Sequence, residues 1–349
     1  MITQADVSSA QGHSMCAPIR KDAAGQAIAP AALQPALRTH PGKLVRQCFY
    51  AIKMEVFMFK IIKKENLAPN IYLMDVEAPR IAKYALPGQF LIVRVDEEGE
   101  RIPLTICDYD SEKGIVQIVF QVIGGDTYRM SSLEVGDSFA DMVGPLGKPS
   151  DLTELPLEEL KKMKICFIAG GVGTAPVYCQ LKWLKNQGVT VDCIQGARTK
   201  DIIILEKEMG EVSDLHICTD DGSYGIHGNV CVALQKLWDE GKRFDRVVAI
   251  GPMIMMKFVC QLTKTLGVET IVSMNPIMVD GTGMCGACRL MVGDKVKFAC
   301  VDGPEFDGHQ VDFAQAMQRM KLYATEEGRL YLRAKEGDTH HGGCGSCGN

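Results

Sequence analysis

Four residues near the carboxyl end are spaced like the corners of a metal-cluster cage. Asp280 is followed after four residues by Cys285, after two more by Cys288, and after a further eleven by Cys300. Two thiolates three positions apart in a glycine-rich loop can wrap a small inorganic core, and a more distant cysteine can close it. The rhythm is that of a [2Fe–2S] site, with Asp280 standing where a first cysteine belongs. A carboxylate carries the same charge as a thiolate, but it is a harder donor and can take up a proton on reduction. The potential is therefore expected to differ from the roughly −400 mV of all-thiolate plant-type centres. The competing reading leaves Asp280 solvated and lets Cys344 or Cys347 complete the cage. A site of this kind moves single electrons, so the upstream sequence should contain their source.

A glycine-rich loop is the first such feature. Gly170, Gly171, Gly173, Thr174, Ala175 and Pro176 follow the apolar run Ile165–Ala169 and open a helical stretch. Glycines there let the backbone approach a pyrophosphate, the helix presents free N–H groups to it, and Pro176 suits a first helical turn. Such a loop between a strand and a helix is the context a dinucleotide requires. Two more loops end apolar runs and are expected beside it, one with Asp220 and Gly222, the other with Gly251 and Pro252. As isolated motifs both also read as ordinary turns. The Asp-rich loop contains no Arg or Lys, which favours NADH, while Arg198 and Lys200 leave NADPH open.

A second pair of motifs lies further upstream. Arg101, Pro103, Leu104 and Thr105 supply a cation, a rigid turn and a hydroxyl, the needs of a flavin dinucleotide. About twenty residues later Gly124, Gly125, Asp126 and Thr127 open a short helix, a second anion-cradling turn. On their own these residues fit an exposed arginine on a barrel rim and a simple turn equally well.

The elements that must hold these groups follow from periodicity. Short β-rich runs at Phe59–Lys64, Ile71–Glu77, Phe90–Val95, Ile115–Val122 and Ser138–Val143 suit a small antiparallel barrel. From Met163 on, apolar strands alternate with helices: Ile165–Ala169, Val189–Ile194, Leu215–Thr219 and Arg246–Ile250 with Ala175–Asn186, Val230–Glu240 and Met253–Leu266. Alternation of this kind means a parallel, doubly wound sheet. Leu290–Val292 and Lys295–Ala299 read as a hairpin beside the cluster loop. The expected division is a weakly ordered extension over 1–57 (with Met58 as an alternative start), a barrel over 58–150 and an α/β domain over 151–276. A small cluster domain over 277–335 and a flexible Cys/Gly-rich tail over 336–349 complete it.

With 349 residues, 46% hydrophobic and a net charge of −5, the chain has no basic footprint for nucleic acid and no apolar run long enough to span a bilayer. Fourteen cysteines without an export signal suggest reduced thiols in the cytoplasm. Cys107, Cys166, Cys179, Cys193, Cys218, Cys231 and Cys260 sit singly in apolar runs and are expected to be inert core residues. Cys344 and Cys347, with His340 and His341, could bind zinc, though a terminal glycine-rich tail positions ligands poorly.

In order, these motifs resemble the ferredoxin–NADP reductase superfamily over residues 58–335. Arg101–Thr105 is similar to its Arg-x-Pro/Tyr-x-Ser/Thr flavin motif, Gly124–Thr127 to its phosphate turn with two substitutions, and Gly170–Pro176 to its nicotinamide-nucleotide loop. The resemblance implies FAD on an antiparallel barrel, NAD(H) (with NADP(H) open) on the α/β domain, and a C-terminal [2Fe–2S] domain. The cluster loop narrows it to two types. One is the electron-transfer subunit of dihydroorotate dehydrogenase, which uses four cysteines. The other is the small subunit of NADH-dependent reduced ferredoxin:NADP⁺ oxidoreductases, of the sulfide dehydrogenase subunit beta type, which carries an aspartate first. Asp280 favours the second. That type implies a larger partner with FAD and [4Fe–4S] clusters, through which ferredoxin is reached, and electron bifurcation. A non-catalytic redox sensor is the alternative of a different class.

Overall fold

Seven strands wrap into a nearly closed antiparallel barrel at the amino-terminal side of the computed structural model, which describes residues 59–336. The expected extension over 1–57, the Met58 start and the His340–Cys347 motif lie outside the described residues. The strands are β1 (Phe59–Ala68), β2 (Ile71–Glu77), β3 (Phe90–Arg94), β4 (Ile102–Asp110), β5 (Ile115–Gln121), β6 (Ser138–Phe139) and β7 (Asp141–Leu146), in spatial order β6-β1-β2-β5-β4-β3-β7. The two end strands are consecutive in sequence and hinge at Ala140, whose N–H donates to the Arg94 carbonyl at 3.0 Å, so the chain itself closes the barrel. Inward residues, among them Ile61, Met74, Leu91, Ile106, Ile118 and Phe120, are at most 2% exposed and form one apolar core. Helix α1 (Pro79–Tyr84) plugs one side of it with Ile81 and Ala82, and α2 (Gly125–Ser132) contributes Met130.

Two strand expectations are corrected here. The single run Ser138–Val143 is two strands divided at Ala140. Arg101–Thr105 is not a rigid turn: Ile102–Thr105 begin β4, with Pro103 opposite Ile92. A proline is tolerated because β4 pairs with β5 only from Ile106 onward. Since the Ile106 N–H points to β3, bonding the Gln89 carbonyl at 3.1 Å, strand alternation turns position 103 toward the side that β5 leaves open.

The second sheet contains β8 (Ile165–Gly170), β9 (Asp192–Ala197), β10 (Asp214–Thr219), β11 (Ile226–His227), β12 (Arg246–Ile250) and β13 (Glu269–Ser273), in the order β11-β10-β9-β8-β12-β13, all parallel. Every residue of β8 is buried, as a central parallel strand covered on both faces requires. Ile165, Phe167 and Ala169 face one layer with α3 (Leu157–Leu160), α4 (Thr174–Asn186) and α5 (Glu206–Val212). Cys166 and Ile168 face the other, with α6 (Val230–Asp239) and α7 (Met253–Leu266). The strand expected at Val189–Ile194 starts later, at Asp192, because Val189 and Val191 are spent as buried plugs before pairing begins. Six of the seven isolated cysteines are buried and Cys231 is half-buried on α6; burial raises the thiol pKa of all seven.

The remaining described chain forms the hairpin β14 (Arg289–Val292) and β15 (Lys295–Phe298), the short α8 (Ala299–Asp302), β16 (Glu305–Asp307), and helices α9 (Phe313–Met320) and α10 (Ala324–Glu336). Strand β16 pairs antiparallel with β13, so the segment expected as a small cluster domain also completes the edge of the parallel sheet. Its apolar residues, including Cys288, Leu290, Ala299 and Cys300, share one core with Phe90 and Ile92 of the barrel. Among the described residues, no helix is long and apolar enough to cross a membrane.

Candidate redox site

The nucleotide loop is built by close backbone approach. Gly170 ends β8, and Gly171–Gly173 form one tight turn before α4. A Cβ on Gly173 would lie 2.3 Å from the Ile250 carbonyl oxygen, and one on Gly251 would lie 3.0 Å from the Gly170 Cα. The two loops expected from separate stretches, Gly170–Pro176 and Gly251–Pro252, are therefore in contact at the ends of neighbouring strands β8 and β12. Thr174 is fully buried, and its hydroxyl donates to the Gly171 carbonyl at 2.8 Å. Sequence reasoning missed Gln195 of β9, which is 1% exposed and donates to the Ile204 carbonyl at 2.7 Å and to the Thr174 hydroxyl at 3.3 Å. A lone glutamine inside an apolar strand was the available signal. Asp220 and Gly222 lie in the turn that follows β10, on the same edge of the sheet but two strands from β8. There the Asp220 N–H bonds the Ala197 carbonyl at 3.0 Å, and the Thr219 hydroxyl clasps both polar backbone groups of Tyr224.

In the barrel, Pro103, Leu104 and Thr105 lie opposite Ile92, Leu91 and Phe90 along β4. At the phosphate turn, the Thr127 hydroxyl accepts from the N–H groups of Ile123 and Gly124, at 3.0 and 2.9 Å, and donates to the Gly124 carbonyl. That clasp fixes the chain entering α2, whose first N–H groups have no partner in the helix's own ladder. Asp126 behaves differently from the expectation. It is 6% exposed, one carboxylate oxygen pairs with Arg129, and the other accepts from the Glu100 N–H at 2.6 Å. Its carboxylate is thus structural, and only its backbone N–H remains for an anion. The same bond brings the chain at Glu100, just before β4, against the turn, while the Arg101 guanidinium itself contacts Val279, Asp280 and Asp141. Helix α10 lies over this corner: a Cβ on Gly125 would be 3.0 Å from the Leu330 carbonyl, and the Tyr128 and Tyr331 rings meet edge-on at 6.1 Å.

The cluster loop runs between the two sheets. Cys288, just before β14, and Cys300, on α8, are each 1% exposed, and their sulfurs are 3.3 Å apart. Burial and the adjoining Cys288 thiol push the Cys300 thiol up to about 12. A bound metal would reverse that preference, since it takes the thiolate. Cys285 is exposed at the loop tip beside Met284, itself 88% exposed. The Asp280 carboxylate accepts from the Thr282 N–H at 2.9 Å, the Cys285 N–H at 3.0 Å and the Thr282 hydroxyl at 3.2 Å. These bonds, the Thr282 N–H foremost, hold it below the usual carboxylate range, and its oxygens keep further acceptor capacity. Among the described residues no three His, Cys, Asp or Glu side chains converge tightly enough for a single ion. A two-iron core is broader than one ion. Two touching buried thiols, a third on the same loop and a fixed carboxylate are a donor set that fits it.

Comparison with known proteins agrees with this geometry. The model of the iron-sulfur cluster binding domain of dihydroorotate dehydrogenase B matches residues 275–312, which contain all four proposed ligands. The dihydroorotate dehydrogenase B (NAD(+)) electron transfer subunit homolog of Thermotoga maritima is 43% identical over 274 residues, covering 78% of this chain and 94% of the relative. An uncharacterised protein from the adh 3' region of Clostridium beijerinckii is 55% identical over 295 residues, 84% of this chain and all of that one. Among solved structures, a chain from the NADH-dependent reduced ferredoxin-NADP oxidoreductase, studied for flavin-based electron bifurcation, is 41% identical with a TM-score of 0.74, covering 79% of this chain and 97% of the other. The chain belongs to the family of dihydroorotate dehydrogenase B-type electron transfer subunits, oxidoreductase subunits with the ferredoxin reductase-like fold.

Proposed function

We propose that the chain takes a hydride from NADH onto FAD and hands the electrons on singly, through a [2Fe–2S] cluster, to a larger flavin and iron–sulfur partner subunit. The observation that carries this reading is the position of the cluster loop, packed on the flavin barrel at Ile92 and Leu146 and next to the head of β4. When bound, the flavin supplies the conversion of a two-electron hydride into single electrons, and the cluster supplies a one-electron store.

This chain's residues bind, orient and shield. Gly170, Gly171, Gly173, Thr174, Ala175 and Pro176, with Gly251 and Pro252, cradle the nicotinamide nucleotide at the sheet edge, and Asp220 and Gly222 flank it. The open backbone edge of Pro103–Thr105 faces the flavin ring, while Arg101 and the N–H groups of Gly124–Thr127 hold its phosphates. Asp280, Cys285, Cys288 and Cys300 ligate the cluster. The exposed loop tip at Met284 and Cys285 gives the partner its approach. No acid or base is needed for the hydride itself, so the protein's contribution is geometry and exclusion of water.

Two partner assignments compete. Several relatives carry the dihydroorotate dehydrogenase name, while Asp280 and the bifurcating structural relative favour a ferredoxin:NADP⁺ transhydrogenase. We assign the second. Anaerobic purification from the source cells is the test, with flavin, iron and acid-labile sulfide analysis and identification of the co-purifying subunit. Yellow-brown protein that bleaches with NADH and carries a large flavin/[4Fe–4S] subunit supports it. A dihydroorotate-oxidising partner overturns the assignment of partner, and colourless zinc protein overturns the redox reading altogether.

A further inference from the structure

Arg101 is placed by the flavin motif, yet in the structure its guanidinium reaches across to the cluster loop. Its Nε donates to the Val279 carbonyl at 2.7 Å, and its Nη2 lies 3.5 Å from the Asp280 carbonyl. Its Nη1 pairs with Asp141 of β7 at 3.4 Å. Nε and Nη2 share one edge of the planar group, so a single rigid fork spans two consecutive carbonyls, the second belonging to the proposed first ligand. A lysine could supply the charge but not the fork.

Steric fit reinforces the same attachment two residues on. Gly281 has a φ of +78°, and a Cβ there would fall 2.7 Å from Leu146 Cδ1 and 2.8 Å from Ile92 Cδ1. The loop therefore lies flat on β3 and β7 immediately after the Arg101 fork, and Met278 just before it is buried. One polar and one steric anchor bracket Asp280, fixing the ligand that the motif places least firmly.

Resting on the function proposed above, we infer that Arg101 is the positioning residue of the iron–sulfur loop, clamping Val279 and Asp280 to the flavin barrel in addition to any contact with flavin phosphate. The clamp sets how tightly the cage holds iron and the surroundings in which the cluster changes charge.

The test uses anaerobically isolated holoprotein with Arg101→Gln, Arg101→Lys, Gly281→Ala and Asp141→Asn. FAD content, the rate of iron loss to a chelator, and the cluster midpoint followed by EPR are measured before and after flavin is stripped. Loss of a charge-assisted fork should speed iron release roughly tenfold in both Arg101 variants and shift the midpoint, with or without flavin. Gly281→Ala should reproduce the faster release while keeping FAD, and Asp141→Asn should give a smaller version of it. If the Arg101 variants lose only flavin, and flavin-free variant and wild type match in release rate and midpoint, the clamp is overturned. Wild-type protein without iron and acid-labile sulfide would sink the function proposed above. The clamp would then be judged by alkylation of Cys288 and Cys300: faster in Arg101→Gln supports it, unchanged overturns it.

Discussion

The nucleotide loop and the cluster loop are both glycine-rich, but they are made by opposite means. At Gly170–Gly173 the backbone is the working part, and glycine is there because the Ile250 carbonyl and Gly251 leave no space for a side chain. At 280–300 the side chains are the working part, and they are unevenly placed: Cys288 and Cys300 are buried and touching, Cys285 is exposed, and Asp280 is fixed by its own loop. A site made of backbone should fail when anything is added. A site made of donors should fail when a donor is removed.

The largest expected effects test that contrast. Cys288→Ser should abolish a stable cluster, because it removes one of the two thiols in contact; iron and acid-labile sulfide per chain should fall to background while FAD is retained. If the cluster persists, the ligand set is wrong. Gly173→Ala should disable the other site without touching iron. A Cβ 2.3 Å from a carbonyl forces the loop apart, with a cost on the order of 2–3 kcal/mol and loss of bleaching by NADH. Gly171→Ala is its control: φ is +54° but nothing lies within 4 Å, so the cost should be only about 1–2 kcal/mol from backbone conformation. Equal losses in the two variants would refute close approach as the reason for glycine.

Asp280 comes next, since replacing a donor should do less than deleting one. Asp280→Cys should keep the EPR signal with a shifted midpoint, and Asp280→Ala should lose or destabilise it. An unchanged spectrum and potential in both would remove Asp280 from the cage and leave it as the turn-capping acceptor for Thr282 and Cys285.

The same contrast explains what could be read from the sequence. Glycine spacing after an apolar run is a local signal, so the strand–turn–helix passage through Gly170–Gly173, Met253–Leu266 and the β14–β15 hairpin were legible with little error. Ligand spacing is local too, which is why the cluster motif stood out. What escaped depends on distant chain. Pro103 in β4 is acceptable only because β5 joins the strand late, at Ile106. The Asp126 carboxylate is used up by Arg129 and the Glu100 N–H, a pairing across 26 residues that no motif shows. Strand β16 is three residues long, and α10 has no buried residue, so neither has an apolar period to detect.

Glu305 joins the two regions, and its effect is confined to the pH dependence of stability. It lies on β16, five residues past Cys300 in the cluster segment, and its Oε1 accepts at 2.5 Å from Gln180 of α4, the helix that follows the nucleotide loop. Among the described residues, Glu305 Oε2 and Gln180 Oε1 are buried without a hydrogen-bond partner, an arrangement that a protonated carboxyl relieves by supplying a donor. Burial raises its pKa from 4.5 to about 7; Asp151 adds to the rise, and the Ser150 hydroxyl, the Gln180 amide and Arg246 oppose it. The folded state thus binds a proton that the unfolded chain has released between about pH 4.5 and 7, so this contribution is complete below that window and lost as pH rises through it. Glu305→Gln should flatten the decline and stabilise the protein at pH 8 by at most about 3 kcal/mol. The check is thermal unfolding of both proteins at pH 5, 6.5 and 8. Parallel pH profiles would mean that the seam between nucleotide helix and cluster segment does not titrate, and that the two regions are joined by packing alone.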